Sequence, residues 1–153
     1  MTSELSITVR STELDSLGHV NNAKYLEYLE WGRFEWLRQS GVPLDLLGTS
    51  GVGTAIVNVN VNFRNEARLS DELRVRARLV HIGTSSLQIG QEILGADGRR
   101  VCDGLVTLAI FDTRTRRSTP ISLSLREALE PLISAAPDHG STVLPMLEVA
   151  HGR

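Results

Sequence analysis

Asp15, His19, Asn21 and Asn22 stand within one short string, Asp15-Ser16-Leu17-Gly18-His19-Val20-Asn21-Asn22. A carboxylate can attack an electrophilic carbon or take a proton from water, and an imidazole can serve as a base. The string runs into a helical pattern, and the unpaired N–H groups and macrodipole of a helix start favour negative charge. Taken together, these residues read as an oxyanion site beside a base. They also have a purely local reading: Asp15 caps a turn that Gly18 permits, while His19 and the two asparagines satisfy the helix start. Local chemistry leaves both open.

The helix that must position these groups is marked at both ends. Asn21 or Asn22 caps its start, and Gly41 suits the left-handed position just past its end. Between them Tyr25, Leu26, Leu29, Trp36 and Leu37 recur at helical spacing, interrupted by Gly32 and Arg33. Gly32 on that face lets the backbone approach its neighbour closely, and the neighbour expected is a sheet.

Strands are expected at Leu5–Arg10, Thr54–Arg64, Asp71–Ile82, Ser85–Leu94 and from the Asp97-Gly98 turn through about Asp112. A short amphipathic helix follows at Leu123–Ile133, opened by Pro120 or Ser122. Residues 42–53 read as a loop with a helical turn at 43–47. Within Thr54–Arg64, Val57, Val59, Val61 and Phe63 alternate with Asn58, Asn60, Asn62 and Arg64, which predicts an apolar face laid against the helix. The asparagine face is either solvated or a polar interface with a second subunit or a ligand. This element order predicts an α+β fold in which a five-stranded, mostly antiparallel sheet wraps one long helix at about 22–40. One domain is expected over 1–135, with a loosely structured tail over 136–153.

Composition narrows the function. A formal charge of −2 among 153 residues gives no reason to expect nucleic acid or an anionic membrane as partner. With no apolar run of membrane-spanning length and no signal-like start, the expected protein is soluble and cytoplasmic. The single cysteine, Cys102, shares a strand face with Val106, Leu108 and Ile110 and reads as a buried structural thiol. The four histidines, at 19, 81, 139 and 151, have no metal-ligand spacing with it, so no metal site is expected. His81 reads as a surface or packing residue.

The strings Val9-Arg10, Leu14-Asp15, His19-Val-Asn-Asn-Ala-Lys-Tyr-Leu-Glu-Tyr-Leu-Glu30, Val59-Asn-Val-Asn-Phe-Arg64 and Leu69-Ser-Asp-Glu-Leu73 resemble the hotdog-fold acyl-CoA thioesterases. The resemblance is nearest to the bacterial long-chain acyl-CoA thioesterase III group of the 4-hydroxybenzoyl-CoA thioesterase-like branch, and covers roughly residues 5–133. It implies hydrolysis of an acyl-CoA, of the fatty acyl-CoA class, to free acid and coenzyme A within fatty acid metabolism, with no cofactor. It implies Asp15 as the catalytic carboxylate, the Asn22 backbone N–H as the group polarising the thioester carbonyl, and His19 as a further catalytic candidate. Related plant acyl carrier protein thioesterases show Asp-x-Asn-x-His here; Leu17 replaces the middle amide, which breaks that relay. The resemblance also implies a homo-oligomer, dimer or tetramer, with each site shared between subunits.

Substrate contacts are expected from Gly18, Val20 and Asn21 around the helix entrance, from Asn62 and Arg64 on the long strand, and from Ser85 and Ser86 after a turn that can face a partner's site. Arg64, Arg68, Arg99 and Arg100 are either phosphate contacts or solvated strand-end residues. A hydratase or dehydratase on the same fold is the nearest rival, although its usual Asp-to-His spacing is five and this chain has four. A non-catalytic acyl-CoA-binding module is the rival from another class.

Overall fold

The long helix, α1, spans Asn22–Ser40, and its ends follow from side-chain chemistry. The Asn21 carboxamide oxygen accepts the Ala23 N–H, and Gly41 closes the helix at φ 70°. Asn21, not Asn22, is therefore the cap. The buried face is Tyr25, Tyr28, Leu29, Gly32 and Trp36. Tyr28 belongs to it, whereas Leu26, expected inside, is 44% exposed.

The computed structural model describes residues 1–43 and 51–134. Its strands are β1 (Thr2–Thr8), β2 (Val52–Phe63), β3 (Glu72–Ile82), β4 (Ser86–Gly95) and β5 (Arg100–Asp112), with a second helix, α2, at Leu123–Leu129. They form one sheet in the order β1-β3-β4-β5-β2, and every neighbouring pair is antiparallel. The expected architecture is present, antiparallel throughout. The first strand lies three residues earlier at its start than expected and ends at Thr8, because Ser11–Glu13 form a 3-10 turn. The final helix ends at Leu129 and continues as a 3-10 turn over Glu130–Leu132 that contains Pro131, whose ring nitrogen cannot donate to a helical ladder. The helical turn expected at 43–47 and the tail over 136–153 fall outside the described residues.

One face of the sheet cups α1, which packs chiefly on β1, β3 and β4. Leu73, Val75, Ala77 and Leu79 of β3 alternate onto this face and are wholly buried. The approach is close at Gly32: a Cβ there would stand 2.6 Å from Cγ1 of Val75. Gln91 of β4, 2% exposed, ties the layers together. Its amide donates to the Leu29 carbonyl at 2.7 Å, and its oxygen accepts from Arg33 at 2.9 Å.

The expectation for the long strand needs correction. β2 sits at the sheet edge, paired only with β5 among the described residues, and a bulge between Ile56 and Asn58 breaks its alternation. Ile56, Val57, Val59 and Phe63 are 43–61% exposed. The apolar face of β2 meets the core only at its end, where Val61 packs on the core cluster and Phe63 on Tyr25, and α1 leaves Ile56, Val57 and Val59 largely uncovered.

Candidate active site

The segment between β1 and α1 is held from both sides. Glu13, buried, accepts the Arg10 N–H at 2.8 Å and the Tyr28 hydroxyl at 2.7 Å, and its carbonyl accepts the Asn21 N–H at 2.9 Å. Burial and the adjacent Glu13 carboxylate both push the Tyr28 hydroxyl above its ordinary pKa, so it remains a proton donor to Glu13. On the other side, Val20 N–H donates to the Ala67 carbonyl at 2.9 Å, and Ala67 N–H donates to the Tyr25 hydroxyl at 3.1 Å. The helix entrance is thereby fixed to the chain that follows β2.

Inside this frame residues 15–19 make a tight turn. The Asp15 N–H donates to the His19 carbonyl at 2.7 Å, and Gly18 adopts φ 81°. Asp15 Oδ1 accepts two backbone N–H groups, from Leu17 at 2.9 Å and His19 at 3.1 Å. Its other oxygen, Oδ2, has no hydrogen-bond partner among the described residues. The local reading of Asp15 as a turn cap is therefore correct for one oxygen, and the second is left for chemistry. At the helix start the Ala23 N–H goes to the Asn21 side chain and the Lys24 N–H to the Asn21 carbonyl. The Asn22 N–H is unpaired among the described residues.

Asp15, His19, Val20, Asn21 and Asn22 line one cleft of about 470 Å³, together with Tyr25, Phe63, Arg64, Asn65 and Glu66. The Tyr25 and Phe63 rings, 5.6 Å apart between centroids, form its apolar wall. The His19 imidazole does not bond the Asp15 carboxylate; its Nε2 lies 2.8 Å from Oε2 of Glu66. Two hydrogen bonds from Arg68 hold the Glu66 carboxyl below its ordinary pKa, with the charges of Arg68, His19 and Arg99 adding to the effect. A carboxylate on Nε2 keeps the proton on that nitrogen and leaves Nδ1 as the acceptor of a neutral His19.

Not every expected contact gathers here. Gly18 shapes the turn and does not line the cleft. The Asn62 carboxamide donates to Asp103 at 3.2 Å on the sheet face away from α1, where Arg64 also pairs with Asp103 at 2.9 Å. Ser85 and Ser86 lie at the opposite end of the sheet, beside the β3–β4 turn. Arg68 and Arg99 are engaged with Glu66 and Asp71, and Arg100 with Glu92 and Asp103. His81 is exposed, as expected. Cys102 is wholly buried, and burial pushes its thiol up to about 12. No group of metal-binding side chains occurs among the described residues.

Glu13, Tyr28 and Glu66 are the supporting residues that the sequence did not reveal. Glu66 and His19 are far apart in the chain and meet only through an isolated bridge between His19 and Arg68.

A five-stranded antiparallel sheet cupping one long helix is the hotdog fold, and the family match defines its class as thioesterase. Residues 9–129 match the Thioesterase-like superfamily, and the chain belongs to that family. It is 34% identical over 131 residues to the long-chain acyl-CoA thioesterase FadM of Escherichia coli, an alignment covering 85% of this chain and 98% of that protein. The solved structure of the probable thioesterase YbaW of E. coli superposes with a TM-score of 0.76 at 32% identity, covering 86% of this chain and 98% of that one. The chloroplastic acyl-acyl carrier protein thioesterase ATL3 of Arabidopsis thaliana is 38% identical over 86 residues, 56% of this chain and 44% of that protein.

Proposed function

We propose that this enzyme hydrolyses a fatty acyl-CoA to free acid and coenzyme A, with Asp15 as the catalytic carboxylate. The observation that carries the reading is the pairing, in one cleft, of an Asp15 whose Oδ2 is unbonded with an unpaired Asn22 N–H at a helix start. The thioester carbonyl oxygen sits at the Asn22 N–H, where a backbone donor and the helix dipole stabilise the charge that develops. Asp15 then either attacks the carbonyl carbon, expelling the coenzyme A thiolate and leaving a mixed anhydride that water opens to the free acid, or takes a proton from a water that attacks that carbon as the same thiolate leaves. In either route Oδ1 stays on its two backbone N–H groups, so the turn holds its shape while Oδ2 reacts. His19, oriented by Glu66, lies in the same cleft and serves as an auxiliary base through Nδ1.

Similarity to FadM supports the long-chain acyl-CoA substrate, and ATL3 keeps acyl carrier protein in view as an alternative carrier. The exposed apolar edge of β2 supports a homodimer in which two β2 strands pair and wall the cleft, with tetramers as a further step. No helix among the described residues is long and apolar enough to cross a membrane, which accords with a cytoplasmic setting.

The test is hydrolysis followed with a thiol reagent over a series of CoA thioesters, beside absorbance at an enoyl thioester. Release of free coenzyme A from wild type, lowered about 10³-fold in kcat by Asp15→Asn, is the expected result. Near-normal kcat in that variant, or enoyl chemistry without thiol release, would overturn the reading.

A further inference from the structure

The sheet face away from α1 holds a second cavity of about 520 Å³, lined among others by Asn60, Asn62, Arg64, Arg78, His81, Gln88 and the carboxylate of Asp103. Arg78 is the unusual member. It is only 6% exposed, and its Nε is buried without a hydrogen-bond partner. Its guanidinium makes no ion pair among the described residues. A buried cation without a bonded counter-charge is costly, and native structures rarely keep one without a use.

The surroundings explain why the need is not met from within the chain. Arg78 is in register with Gly90 of β4 and lies over it; a Cβ at that position would be 3.3 Å from Nη2 and 3.5 Å from Nε. The carboxylates nearby are already shared. Glu92 faces Arg76 at 3.6 Å and Arg100 at 3.5 Å, while Asp103 faces Arg64 at 2.9 Å and Arg100 at 3.7 Å. Glu92 attracts Arg78 from a distance and Arg100 repels it, but burial dominates and holds the guanidinium pKa below its usual value. The side chains of Asn60, His81 and Gln88 make no hydrogen bonds among the described residues, so uncommitted polar groups surround the buried cation.

Arg64 lines this cavity and also the cleft that holds Asp15. The two spaces therefore meet around the end of β2. Arg78 is level with Asn60 through Gly90 and Leu105, three strand spacings across the sheet and four residues along it from Arg64, a separation of about 20 Å that an extended pantetheine arm with its attached phosphates spans.

We infer that the Arg78 cavity binds a phosphate group of the thioester's carrier, so that the substrate runs from Asp15 past Arg64 to the outer face of the sheet. This assignment rests on the thioesterase reading and adds to it the place where the phosphorylated end is held. A planar guanidinium matches phosphate oxygens through paired N–H donors. The Asn60 and Gln88 amides supply further donors.

The test compares one acyl group carried on coenzyme A and on N-acetylcysteamine, which has no phosphate. Arg78→Gln should raise KM for the CoA thioester about ten-fold or more with kcat nearly unchanged, and leave the N-acetylcysteamine thioester unaffected. Arg78→Lys, which keeps the charge but not the fork, should fall between. Equal effects on both substrates, or on neither, would overturn the assignment. So would a drop in molecular mass by light scattering for Arg78→Gln, since Arg78 would then be answering a second copy of the chain. Calorimetric titration with adenosine 3′,5′-bisphosphate and with inorganic phosphate separates the sources. Bisphosphate binding that Arg78→Gln abolishes supports a carrier site, and inorganic phosphate binding equally well identifies a free-anion site instead. If wild type hydrolyses neither thioester, the thioesterase reading fails, and the titration still decides whether Arg78 binds phosphate.

Discussion

In β3, Leu73, Val75, Ala77 and Leu79 lie wholly buried under α1, whereas in β2, Val57, Val59 and Phe63 alternate with asparagines in much the same way and remain exposed. The two strands differ in position, not in pattern. β3 runs between β1 and β4, while β2 is bonded only to β5. Apolar alternation thus marks which face of a strand avoids water. What covers that face depends on topology, and the uncovered apolar edge is the feature on which the proposed dimer rests. The candidate cleft opens at the end of this strand, at Phe63 and Arg64, so the proposed assembly and the proposed chemistry can be tested against each other.

Substitutions in the two strands should separate these roles. The largest effect is expected for Leu79→Ala, which opens a cavity under α1 and should cost about 2 to 5 kcal/mol in denaturant unfolding. Gly32→Ala comes next. Its new Cβ would meet Val75 at 2.6 Å, and the resulting overpacking should cost about 1 to 3 kcal/mol, read as a lower denaturation midpoint with unchanged slope. Val59→Ser should change protomer stability by less than about 0.5 kcal/mol, as for exposed sites generally, yet lower the mass seen by light scattering and the activity with it. A Val59→Ser protein that keeps both mass and activity would remove the assembly role assigned to the β2 edge. The smallest effect is at Cys102. Burial pushes its thiol up to about 12, so the reactive thiolate is scarce near neutral pH, and iodoacetamide should leave the native protein unmodified at pH 8 and label it after unfolding.

Much of this fold was legible because its signals are local. Asn21 and Gly41 bound α1 through their own side-chain and backbone chemistry, and Asp97-Gly98 turns β4 into β5 through a positive φ of 83° at Gly98. Gly32 gave the close contact with the sheet. Asp15, His19 and Asn22 were readable as a site because the string is compact and ends at a helix. The misses are non-local. Leu26 and Tyr28 both suit an apolar face, and only the direction from which the sheet approaches decides between them. Glu66 reaches His19 through an irregular bridge that leaves no periodic trace, and Glu13 is buried only because Tyr28 offers it a hydroxyl. Neither Asn62 nor Ser85 lines the Asp15 cleft: the pleat sends the Asn62 side chain to the outer face, where it lines the Arg78 cavity, and Ser85 lies by the β3–β4 turn at the far end of the sheet.

The Gln91 amide sets the axial position of α1. A helix resting on an apolar surface can slide or rotate at little cost, because dispersion contacts have no strong direction. A buried carboxamide that bonds both the Leu29 carbonyl and the Arg33 guanidinium removes that freedom, since sliding would strand its polar atoms. Leu29 is seven residues from Asn22, about 10 Å along the axis. The height of the Asn22 N–H above the Asp15 turn is therefore registered from deep in the core, on β4, by a buried side chain that does not line the cleft.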